Sequence, residues 1–157
     1  VGSEMCIRDS HSSTAVEKYS QEAADKCVPL DSELIKEAIP LFTQIHHCGS
    51  VLAEVFFAMM ISRILYGSVP APGTMVIFSI LLATCSIGTP GLPWGTVMVS
   101  LGTLTGILKF GDSGMALMFA VFALNDAFAA ACNATCDGAA ALFLTGYVKR
   151  HDFSNRL

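Results

Sequence analysis

Asp126, Asn133 and Asp137 are the side chains in this chain best placed to do chemistry. They are separated by seven and four positions. At 100° per residue, an α-helix gathers them into one stripe within about 20° of Asp126 on either side. The stripe lies in Gly114 to Val148, a stretch rich in alanine and phenylalanine whose only charged residues are those two aspartates. An ionisable group in so apolar a helix is costly and faces a cavity, an ion path or a partner helix. Carboxylate and amide oxygens are hard-ion ligands, so the set suits a cation. A structural contact to a neighbouring helix is the competing reading.

Three further groups carry chemistry. His46, His47 and Cys48 are consecutive. Neighbouring helical positions point about 100° apart, so the three converge on one metal ion only if the backbone unwinds. Glu54 follows in an apolar helix, where a buried carboxyl can carry a proton; pairing with Arg63 is the alternative. Cys85 to Gly95, CSIGTPGLPWG, sets glycine, proline, serine and threonine inside a stretch with no charged residue between Arg63 and Lys109. It lacks the GK[ST] ending of a phosphate loop, which argues against a nucleotide cradle.

The elements around these residues are those of a membrane chain. The sequence is 53% hydrophobic and only 14% charged, against about 25% charged in an average soluble domain. A net charge of -4 offers no basic stripe for nucleic acid. Of the six cysteines, Cys48, Cys85, Cys132 and Cys136 lie in apolar segments and read as small buried hydrophobes, not as a disulfide framework or zinc site. Residues 1–10, VGSEMCIRDS, resemble translated sequencing-adapter read-through and are set aside as a non-native tail. Residues 11–30 are polar and partly helical. A helix is expected from Asp31, its N-cap, to Tyr66, broken at His46–Ser50. Gly67 to Gly73 is a loop. Thr74–Thr84 and Thr96–Leu108 are apolar arms of about ten to fifteen residues, shorter than the roughly 20 a spanning helix needs. They therefore read as a re-entrant hairpin over 74–108. Irregular backbone at membrane depth is tolerated only beside protein or a water-filled cavity, which makes the turn a candidate binding element. The final helix covers 114–148, and 151–157 form a tail. Basic residues before the first span and after the last place both ends in the cytoplasm.

In this order the motifs resemble the dicarboxylate/amino acid:cation symporters, the family of glutamate and neutral amino-acid transporters. The resemblance runs from about Ser12 to Arg150. HHCGS (46–50) is similar to the family's broken helix, which usually reads N-M-D-G-T there. SIGTPGLPWG (86–95) is similar to the tip of its second re-entrant hairpin. Asp126, Asn133, Thr135 and Asp137 match D-x6-N-x-T-x-D of its last helix. The resemblance implies an all-α membrane fold, a homotrimer when full length, and a mobile transport domain of which 31–150 form the C-terminal half. Residues 11–30 would include the remnant of a first hairpin. By the resemblance, Asp126 contacts the substrate amino group and Asn133 its carboxylate. Asp137, with carbonyls around Gly49 and Asn133, holds Na+. Ser86, Gly88, Thr89 and Gly91 gate the site. No other cofactor is implied.

Departures from the pattern shift the expectation. Ala129 stands where glutamate transporters place an arginine, so an acidic side chain lacks its bidentate partner. This favours a neutral amino acid over an acidic one, with C4 dicarboxylates as the alternative cargo. His46 and Cys48 replace the asparagine and aspartate of N-M-D-G-T, removing hard oxygens from a second sodium site. Glu54 falls where eukaryotic glutamate transporters carry a proton, so Glu54, with His46 or His47, is expected to couple H+. The altered motif also leaves a transport-inactive relative as an alternative, and no hydrolytic triad, redox pair or dinucleotide fingerprint points to an enzyme.

Overall fold

The computed structural model describes residues 13–26, 32–89 and 95–151. These form six α-helices: α1 (Ser13–Asp25), α2 (Ser32–Ile45), α3 (Cys48–Tyr66), α4 (Pro72–Ser86), α5 (Gly95–Gly106) and α6 (Asp112–His151). No strand occurs among the described residues. The all-α expectation therefore holds. Asp31, the expected N-cap, lies outside the described residues, as do residues 1–12, 27–30, 90–94 and 152–157.

The buried positions explain how the helices pack. Along α6 they are Gly114, Met118, Phe122, Asp126, Ala129, Asn133, Asp137, Ala141 and Thr145, with Ala130 beside Ala129, a repeat of three or four that marks one helical face. The polar stripe is thus the middle of a buried seam, with apolar side chains on either side. On α3 the buried face carries Ser50, Glu54, Ala58 and Ile61, and it lies against α6. Ala58, Ile61, Phe78, Leu82, Val97, Leu104, Met118 and Phe122 join α3, α4, α5 and α6 in one apolar core. A second small cluster, Ile35, Ile39 and Ala141, ties α2 to α6.

The outward faces are as apolar as the core. Leu52, Phe56, Ile80, Leu124, Phe128 and Phe143 are all exposed. Glu33–Tyr66, taken across its interruption, and Asp112–His151 are long and apolar enough to cross a membrane, while Pro72–Ser86 is shorter. The cysteine expectation needs correction here. Cys48, Cys85 and Cys136 are only half-buried and Cys132 is exposed.

Two devices hold the far end together. Gly67 caps α3 at φ 73°, the left-handed conformation in which glycine carries no Cβ penalty, and its carbonyl accepts from Arg63 Nη1 at 2.6 Å. The turn before α6 is latched back to α3: Gly111 N–H donates to the Tyr66 hydroxyl at 2.9 Å, and the Tyr66 and Phe110 rings lie 5.6 Å apart. Arg63 is thus engaged at its own helix end and is not the partner of Glu54.

Candidate functional site

The interruption between α2 and α3 is two residues long, His46 and His47. Cys48, Gly49 and Ser50 are already helical, so the break is tighter than the five residues of HHCGS. A helix begun this way leaves its first N–H groups without intrahelical acceptors. His47, at the N-cap position, offers no side-chain bond.

Asn133 supplies the cap from another helix. Gly49 N–H and Ser50 N–H both donate to its Oδ1, at 2.7 and 3.2 Å, and its Nδ2 donates to Ser50 Oγ at 2.9 Å. All of these groups are buried. The close approach depends on Gly49: a Cβ there would lie 2.5 Å from Cys132 Cβ and 2.6 Å from the Ala129 carbonyl oxygen. Glycine is the residue that lets these two backbones meet.

One turn further along α6, Asp137 is fully buried and its Oδ1 lies 3.0 Å from His46 Nδ1. Its Oδ2 has no hydrogen-bond partner among the described residues. Asp126 and Ala129 are buried on the same seam. One turn beyond Ser50 on the same buried face of α3, Glu54 is fully buried and accepts from Ser100 Oγ of α5.

A cavity of about 510 Å³ opens beside the break, between residues 45–55 and the end of α4. His46, His47 and Cys48 line it with Ser79 and Ser86 among mostly apolar side chains. His47 is buried, and neither ring nitrogen has a partner among the described residues. Ser86 and Thr89 are buried and Gly88 is exposed. Thr89 Oγ1 donates to the Ser86 carbonyl at 2.6 Å, which makes the first half of the α4–α5 connection a local hydrogen-bonded turn. Gly91 lies outside the described residues.

The structure thus brings His46 to Asp137 and Gly49 to Asn133, and it puts Ser86 at the same cavity as His46 and His47. Asp126, Asn133 and Asp137 do not line that cavity. No group of three or more metal-ligating side chains is found among the described residues. Two participants escaped sequence reasoning, Ser50 and Ser100. Ser50 lay inside the HHCGS motif. Ser100 carried no local signal, because its partner is 46 positions away.

A chain of buried oxygens on an apolar helix, facing an interrupted helix, is a membrane-transport arrangement more than an enzymatic one. The model of the sodium:dicarboxylate symporter family matches residues 9–146. The chain belongs to this family. No curated protein and no solved structure matches it. A member of this family with two helices long and apolar enough to cross a membrane is an integral membrane protein. Membership in a symporter family also speaks against an enzyme.

Proposed function

We propose that the protein is a secondary active transporter that carries a small amino acid, neutral in preference to acidic, in symport with Na+, H+ or both. The observation that carries this reading is the burial of Asp126, Asn133 and Asp137 on an otherwise apolar spanning helix, with Asn133 and Asp137 meeting the break between α2 and α3. Such groups persist at membrane depth where they handle a solute or an ion. Asp126 is the group for a substrate amine. Asn133 is the buried amide of the seam for its carboxylate, once it is released from Gly49 and Ser50. The Asn133 and Gly49 carbonyls are the backbone oxygens proposed for a cation; Asp137, the third group expected there, is engaged by His46.

Ala129 on the same seam supports the neutral cargo, since a methyl offers nothing to a side-chain carboxylate. A C4 dicarboxylate is the second reading, favoured by the family's description. The α4–α5 pair acts as a re-entrant hairpin whose turn, with Ser86, Gly88, Thr89 and Gly91, opens and closes the site. Movement of this unit as an elevator, a homotrimeric assembly and cytoplasmic placement of both ends complete the proposal.

Glu54 is the proton carrier of this scheme. It is fully buried, and the Ser100 hydroxyl orients one of its oxygens. Its Oε2 has no partner among the described residues. The full-length protein in proteoliposomes should therefore take up its solute faster under an inward proton gradient. Glu54→Gln, which keeps the shape and removes the titrating group, should abolish that response while leaving binding intact. Uptake that ignores the gradient in wild type, or a response that survives in Glu54→Gln, counts against proton coupling.

A further inference from the structure

A carboxylate that stays ionised when buried on an apolar helix needs a counter-group, a captured cation or a side chain. At Asp137 the chain provides a side chain. His46 Nδ1 stands 3.0 Å from Asp137 Oδ1, and the two side chains are 37% and 1% exposed. The ring is therefore the part of the pair that reaches outward. It also lines the cavity beside the break, which Asp137 does not. A cation entering from the cavity meets the imidazole before the carboxylate. The neighbouring hard oxygen, Asn133 Oδ1, is engaged as well, by Gly49 and Ser50 N–H. Hydrogen donors of the chain itself thus satisfy one oxygen of each side chain that the seam aims at the break.

We propose that His46 is a specificity-determining residue: it stands in for an alkali cation at Asp137 and makes this part of the site independent of sodium. The inference rests on the reading of the seam as part of a cation-coupled symporter, and it narrows which oxygens remain for the driving ion. With the ring removed, Asp137 is open to the cavity and becomes a site for a monovalent cation.

The test reads sodium binding without needing transport. The unfolding midpoint of the full-length protein in lipid nanodiscs is measured in NaCl and in choline chloride. A ligand that binds only the folded state raises that midpoint by mass action. Wild type and Asp137→Asn should respond alike to sodium. His46→Asn should gain a saturable, sodium-specific upward shift, with apparent affinity roughly tenfold above any wild-type response. His46→Asn combined with Asp137→Asn should lose it. His46→Ala gives the same reading should the asparagine variant fail to fold. A wild-type sodium response that Asp137→Asn removes overturns the proposal, as does a pair of His46 variants with no gain. Gradient-driven uptake in proteoliposomes reports separately on the transport reading, so a failure there is told apart from a failure of the His46 assignment.

Discussion

Asn133 shows what one side chain contributes here. Its amide closes the first turn of α3 from a helix 84 residues away, using one oxygen for two N–H groups and its nitrogen for Ser50. Truncation leaves those donors buried without acceptors, and each such group costs on the order of 1–3 kcal/mol. Asn133→Ala strands two such donors and should therefore lower the unfolding free energy of the full-length protein in nanodiscs by about 2–6 kcal/mol. Unchanged stability would show that the cap is not made. The sequence showed that Asn133 shares a stripe with Asp126 and Asp137, because spacing within one helix is a local property. It could not show that the amide faces Gly49 and Ser50, since nothing in a one-dimensional pattern pairs positions so far apart. The same holds for Glu54, for which the sequence offers one candidate partner, Arg63; the structure gives Ser100.

Between elements, the decisive fact is how closely α3 and α6 approach. At Gly49 the contact is with the Cys132 Cβ and the Ala129 carbonyl. Every residue but glycine keeps that Cβ, and a backbone carbonyl cannot step aside, so no compensating change on α6 restores the space. Gly49→Ala should destabilise by roughly 1–3 kcal/mol, the range for overpacking, and should disturb the Asn133 cap with it. Wild-type stability in that variant, measured by the same unfolding assay, would mean the helices are further apart than described. Element positions were readable where chemistry changes abruptly. The polar HHCGS run in an apolar stretch announced an interruption, though only His46 and His47 leave the helix. The GTPGLPWG run announced a turn between α4 and α5. Helix ends were less readable: α4 starts at Pro72 and α6 at Asp112, each two residues before the apolar run suggested. Proline and aspartate both favour a first helical turn, so a cap-based reading would have found these starts. Burial of the cysteines was misjudged because an apolar segment does not show which of its positions pack: Cys132 meets Gly49 and still stays exposed.

For the molecule as a whole, the low charge and the charge-free stretch from Arg63 to Lys109 were enough to give an all-α membrane fold. Composition works here because lipid excludes charge and demands that backbone hydrogen bonds close within each segment. What composition cannot give is cargo, because selectivity rests on a few polar atoms on a seam of apolar ones. Asp126 is the atom set on which the proposed cargo turns. The most direct measurement is initial uptake by the full-length protein in proteoliposomes under imposed Na+ or H+ gradients, with a panel of neutral amino acids, acidic amino acids and C4 dicarboxylates. Wild type should accumulate a neutral amino acid in preference to the others. Asp126→Asn should lose at least about tenfold of that uptake, the loss of one charge-assisted contact, while keeping its unfolding midpoint. Accumulation of a C4 dicarboxylate alone, or full amino-acid uptake by Asp126→Asn, would contradict the account.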